Sequence, residues 1–127
     1  YKKIKAPERW LLNVKAMESL AKQMDAKYFV FIQPTMGLLG VQSKLPKNKN
    51  SKDYKLLTEL IKNQKYILEL NSFYNSIRVY CKKLEFCFDI SNEASPKGNF
   101  YTDPRHHNKD GNKIIAEKIY KIISKEF

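Results

Sequence analysis

With 127 residues the chain has length for one domain with a single ordinary core, and its 43% apolar and 13% aromatic content excludes a disordered polypeptide. No apolar run nears the roughly 18 residues of a membrane span, which excludes a spanning helix. The formal charge of +11 invites nucleic acid as a partner, but only Arg9, Arg78 and Arg105 among the 24 basic residues are Arg. The Lys residues are spread along the chain, so the planar fork that reads phosphates and base edges is scarce, and we expect no nucleic-acid partner.

In chain order, a basic lead-in ends at Pro7. Trp10, Val14, Met17, Ala21 and Met24 then recur at steps of four and three, which predicts an amphipathic helix with Pro7 and Glu8 in its first turn. Asp25, Ala26 and Lys27 break the pattern. Residues 28–32 are a continuous aromatic and β-branched run, read as a strand buried on both faces, as in parallel sheets. The strand stops at Gln33 and Pro34. Ligands of open α/β sheets bind at the carboxyl ends of strands, so Gln33 is a candidate substrate-binding residue; satisfying loop backbone is its other reading.

Residues 35–52 read as an unusually long loop. Its Met36, Leu38, Leu39 and Val41 can line an apolar mouth or anchor the loop to the core, and the basic run over 44–55 reads as a solvated tip. Ser51 or Asp53 can cap the following helical region, whose spacing runs through Leu56, Leu57, Leu60 and Ile61 and again through Leu70, Phe73, Tyr74, Ile77, Tyr80 and Cys81. No Gly or Pro decides between one helix and two. Residues 84–90 predict a second strand and 91–99 a turn region. Strand, helices and strand imply a parallel crossover.

Cys81 and Cys87 show no metal-ligand spacing. They read as buried free thiols, which fits a reducing compartment; a disulfide between them is the other possibility.

The densest chemistry lies at Tyr101, Asp103, His106, His107, Asn108, Gly111 and Asn112. Asn108 or Asp110 can cap a last helix whose apolar face is Ile115, Ile119 and Ile122, with Ile114 and Ile123 beside it. Asp103 and His106 therefore sit in the turn before that helix, stiffened by Pro104. A carboxylate three residues before a His can accept Nδ1–H, which fixes the tautomer and leaves Nε2 as a general base. A metal site on Asp103, His106 and His107 is a weaker reading, because adjacent His residues rarely reach one ion.

Tyr101, Asp103, His106, Asn108, Gly111, Asn112 and the Ile-Ala step at 115–116 together resemble the last block of the SGNH (GDSL-type) hydrolases. The order of a helix, a strand ending in Gln-Pro, a helical stretch and a strand ending at Phe88, Asp89, Ile90 and Ser91 is similar to that family's second half. The resemblance implies a three-layer, flavodoxin-like α/β fold with a parallel sheet, residues 1–127 forming one domain that lacks its N-terminal part. It implies hydrolysis of a small-molecule, carbohydrate or lipid ester by a Ser nucleophile, with His106 as general base, Asp103 as its orienting acid and no metal or organic cofactor. His107 is off the pattern and expected at the surface. The family's Gly-Asp-Ser nucleophile block and its Gly and Asn oxyanion donors are absent, and the eight serines here (19, 43, 51, 72, 76, 91, 95 and 124) lack that context. The nucleophile is therefore expected in polypeptide preceding Tyr1. A non-catalytic basic binding module, or an inactive relic of the fold, is the alternative.

Overall fold

A computed structural model describes residues 3–127 as a mixed α/β chain that forms two compact units. The first comprises the described residues up to Ile32 together with Asn71–Asp89; the second comprises Gln33–Leu70 and Ile90–Phe127.

In the first unit, helix α1 (Ala6–Gln23) opens with Pro7 and Glu8 in its first turn, as the sequence predicts. It ends where Asp25 adopts φ 53° and the Ala26 N–H reaches the Ala21 carbonyl, a turn in which Asp tolerates the left-handed region. Val14 is buried, but Met17 and Met24 are 50% and 71% exposed. The buried side of α1 is rotated from the predicted stripe and runs through Trp10, Leu11, Val14, Glu18 and Ala21 instead.

Strand β1 (Val30–Ile32) pairs in parallel with β2 (Cys87–Asp89), Val30 opposite Cys87 and Ile32 opposite Asp89. Both strands are shorter than predicted. The Cys87 N–H bonds to the Leu84 carbonyl and closes a turn over residues 84–86, so the ladder first engages at Val30, whose N–H reaches the Phe86 carbonyl. Ile32 is buried while Val30 and Phe31 are only partly so, which corrects the expectation of a strand buried on both faces. One face carries the core of Ile32, Ile77, Cys81 and Cys87, against which Trp10, Val30, Phe73, Tyr74 and Leu84 pack. Burying each such aliphatic side chain contributes about 1.5–3 kcal/mol. On the alternate face Phe88 meets Phe29 and Phe31, with ring centroids 6.3 and 5.7 Å apart.

The free-thiol reading is corrected: Cys81 and Cys87 form a disulfide. The turn after helix α3 (Gln64–Cys81) brings their Cα atoms to 5.2 Å, within bonding reach. With no free cysteine among the described residues, the basis for a reducing compartment disappears. Nearby, Arg78 Nε lies 3.2 Å from Asp89 Oδ2 and its guanidinium stands over the Tyr74 ring.

In the second unit, the undecided helical stretch is two helices. Helix α2 (Lys52–Leu60) is capped by Ser51, whose hydroxyl accepts from the Tyr54 N–H. The break is set by Asn63, whose side chain accepts from the Tyr66 N–H and so starts α3 without Gly or Pro. Met36 and Leu38 are buried, which makes the long loop an anchored one, while Leu39 is exposed. Gly37 turns this loop at φ 95°, and a Cβ there would meet Ile67 at 2.8 Å and Leu60 at 3.0 Å. The core consists of Met36, Leu57 and Tyr101, with Leu56, Leu60, Ile61 and Phe100 against them. Helix α4 (Lys109–Ile123) begins at Asn108, not Asp110, as its cap; its Ile residues are partly buried. No helix among the described residues is long and apolar enough to cross a membrane.

Candidate functional site

Strand β3 (Tyr101–Asp103) and strand β4 (His106–His107) form a two-stranded antiparallel hairpin that sequence reading misses because each strand is so short. Its register places Asp103 opposite His106 and Tyr101 opposite His107. The Thr102 hydroxyl donates to the His106 carbonyl and the Asn108 N–H to the Phe100 carbonyl, which closes the hairpin onto the start of α4.

Both carboxylate oxygens of Asp103 lie near His106 Nδ1, at 3.0 and 2.9 Å. The same Oδ1 accepts the backbone N–H groups of Arg105 at 2.8 Å and His106 at 3.0 Å. These donors, first the Arg105 N–H and then the His106 side chain, hold the Asp103 carboxyl below the usual carboxylate range. An ionised carboxylate only accepts, so Nδ1 carries the proton and the neutral ring keeps its lone pair on Nε2. The two residues are open to solvent, with side chains 52% and 75% exposed. The arrangement can therefore take a proton from an incoming hydroxyl, and Asp103 can hold the imidazolium that results.

The hairpin is fixed from beneath by groups that sequence reading passed over. Asp53 is fully buried and its carboxylate accepts the N–H groups of Gly98, Phe100 and Tyr101, at 3.2, 2.9 and 3.0 Å. Tyr101 is also fully buried and its hydroxyl donates to Gln42 Oε1 at 2.5 Å. Gln42 Nε2 in turn donates to the carbonyls of Ser91 and Glu93. The only sequence signal for this network was the oddity of Gln42 between apolar Val41 and a basic run; Asp53 looked like an ordinary cap.

Gly111 is the second missed support. A Cβ there would stand 2.5 Å from the Phe100 carbonyl oxygen and under 3 Å from His107, so only glycine lets α4 approach the hairpin this closely.

His107 is not the surface residue that was expected. Its ring is partly buried against Tyr101, with centroids 4.0 Å apart, and Nε2 donates to the Ala94 carbonyl at 3.2 Å. Burial pushes its pKa below the ordinary histidine value. Adjacent strand residues face opposite ways, so His106 and His107 do not converge on one ion. No group of three or more His, Cys, Asp or Glu among the described residues is arranged to hold a metal.

Gln33 is exposed just past the carboxyl end of β1. Two and three residues on, the Thr35 hydroxyl and the Met36 N–H both donate to the Pro104 carbonyl, which ties this loop to the Asp103–His106 turn. Arg105, between the two, reaches Tyr66, its Nε 3.4 Å from the hydroxyl and its guanidinium over the ring. Comparison with protein-family models, with curated proteins and with solved structures finds no match to the chain.

Proposed function

We propose that this chain supplies the general base and orienting acid of a Ser-His-Asp ester hydrolase of the SGNH type, on a three-layer, flavodoxin-like α/β scaffold with a parallel sheet. The observation that carries the reading is the Asp103 carboxylate against His106 Nδ1 at 2.9 Å in the turn before the last helix. The parallel pairing of β1 and β2, with helices between them in the chain, is consistent with such a scaffold.

In this reading a serine Oγ from polypeptide outside these residues attacks the ester carbonyl, and its proton passes to His106 Nε2. Asp103 stabilises the imidazolium through Nδ1–H. Collapse of the tetrahedral intermediate breaks the ester C–O bond, and the leaving alkoxide takes the proton from Nε2. Water, deprotonated by the same His106, then hydrolyses the acyl-serine. Gln33 is the candidate for contact with the substrate, an ester of a small molecule, carbohydrate or lipid. No step calls for a metal or organic cofactor. The disulfide favours an oxidising compartment for this activity.

The test is hydrolysis of a short-chain acyl ester by the protein together with the sequence that precedes Tyr1. That sequence is expected to hold a Gly-Asp-Ser-like strand-to-helix turn, and its lack would remove the nucleophile from the proposal. A second reading rests on one observation: the bonds from Arg105 N–H and His106 N–H to Asp103 Oδ1 suffice to shape the turn with no chemistry. On that reading the chain is a non-catalytic basic module or an inactive relic, and no ester is turned over.

A further inference from the structure

Two segments of the second unit, residues 41–48 and 95–97, border a half-open pocket of about 560 Å³, within the range of small-molecule sites. Its lining includes neither Asp103 nor His106. Val41, Leu45, Pro46 and Pro96 give it apolar walls, with both prolines buried. Three exposed lysines, Lys44, Lys47 and Lys97, are among its lining residues, Asn48 and Ser95 are its polar neutral members, and no acidic residue lines it.

Both walls are held in place. The 41–48 loop is tied by buried Gln42, which donates to the Ser91 and Glu93 carbonyls, and the Ser43 N–H and hydroxyl bond back to the Gly40 carbonyl. The other wall is clamped at Gly98, whose N–H reaches Asp53 Oδ2 and whose carbonyl accepts the Asp53 N–H. Proline at 46 and 96 fixes φ within each wall. Glu93, the nearest acid in sequence to the 95–97 wall, is engaged by Lys118 at 3.3 Å. Three lysines and no acid at the rim of one apolar hollow favour an anion there over a cation. A rigid site also loses little conformational entropy on binding.

We propose that this pocket binds a small anion with an apolar body, its phosphate or carboxylate among Lys44, Lys47 and Lys97 and its hydrocarbon part against Val41, Leu45, Pro46 and Pro96. The inference does not depend on the hydrolase reading.

The experiment is a titration of the ¹⁵N-labelled chain with hexyl phosphate, with inorganic phosphate and with hexanol, each followed by amide chemical shifts. Hexyl phosphate is expected to give saturable shifts confined to residues 41–48 and 95–97, weakening as salt is raised. Inorganic phosphate and hexanol, each with half of the chemistry, are expected to bind more weakly. The combined Lys44→Ala, Lys47→Ala and Lys97→Ala variant should keep its amide dispersion, since all three side chains are exposed, and lose affinity by about tenfold. Absence of saturation up to about 10 mM, equal binding of hexanol or inorganic phosphate, or unchanged affinity in the variant would each overturn the proposal.

Discussion

The carboxylate of Asp103 serves two masters within one turn: Oδ1 accepts the backbone N–H groups of Arg105 and His106, and Oδ2 lies 2.9 Å from His106 Nδ1. A group that both shapes the turn and orients the ring can be dissected by substitution. Asp103→Asn keeps an oxygen for the backbone donors but removes the charge, whereas Asp103→Ala removes both. In the native chain, ¹⁵N shifts of His106 are expected to report the Nδ1–H tautomer with Nε2 unprotonated. Asp103→Ala should shift the populations towards the Nε2–H form. Native spectra already dominated by Nε2–H would contradict the orientation argued for the dyad.

The same carboxylate gives a pH signature. Its folded pKa is depressed, so the turn's contribution to stability is present above the ordinary carboxylate value and lost as pH falls through the folded one. A ¹³C titration of the Asp103 carboxyl should place its midpoint below that of an unstructured Asp. Because Asp103 is exposed to water, the effect on global stability is expected to be small.

For His107 the sign runs through a depressed imidazole. Burial lowers its folded pKa below the unfolded value of about 6.5, so the unfolded chain binds more protons in between. Stability from this residue is complete above about pH 6.5 and falls as pH drops towards the folded value. Thermal melts at stepped pH should show this slope, and His107→Phe, which keeps a ring against Tyr101, should flatten it. An unchanged slope in the variant would show that other groups cause it.

Gly111→Ala is a case where two effects have opposite signs. In an exposed helix the change stabilises by about 1 kcal/mol, but here the new Cβ would stand 2.5 Å from the Phe100 carbonyl oxygen. We expect net destabilisation of about 1–3 kcal/mol by denaturant unfolding. Shifts should spread through residues 100–107. A stabilised variant would mean that α4 can move away from the hairpin freely.

Asp53→Ala removes one side chain and leaves three N–H groups, of Gly98, Phe100 and Tyr101, without their acceptor, that of Tyr101 buried and the other two partly so. The expected cost is about 3 kcal/mol or more. Tyr101→Phe, which deletes only the hydroxyl bonded to Gln42, should cost about 1 kcal/mol. Equal losses in both would place the strength of the network in Gln42 and not in Asp53.

Much of this architecture is written in local patterns. The Pro7 helix start follows from periodicity and capping chemistry, the cap of the last helix is narrowed by them to Asn108 or Asp110, and the parallel pairing of the two apolar strands follows from the crossover rule. The Asp103–His106 pair is also legible, because a three-residue spacing in a turn leaves few other geometries. What sequence could not supply was long-range. Gln42 meets Tyr101 across 59 residues and Asp53 meets the 98–101 segment across 45 to 48, and no local pattern encodes such partners. The disulfide is hidden for a different reason: a six-residue separation is compatible with free thiols until the turn over 84–86 fixes the geometry. The buried face of α1 was misplaced because Met17 and Met24 fit a helical stripe but lie outside the contact surface that Trp10 and Val14 define.

The most direct test of the hydrolase proposal is the turnover of p-nitrophenyl acetate by the protein together with the serine-bearing polypeptide that the proposal requires, native and His106→Ala side by side. If His106 Nε2 takes the proton of a serine, the native protein hydrolyses the ester and His106→Ala loses turnover by about 10³-fold with its fold intact. Hydrolysis that persists undiminished in His106→Ala, or a native protein with no turnover of any acyl ester, would contradict it.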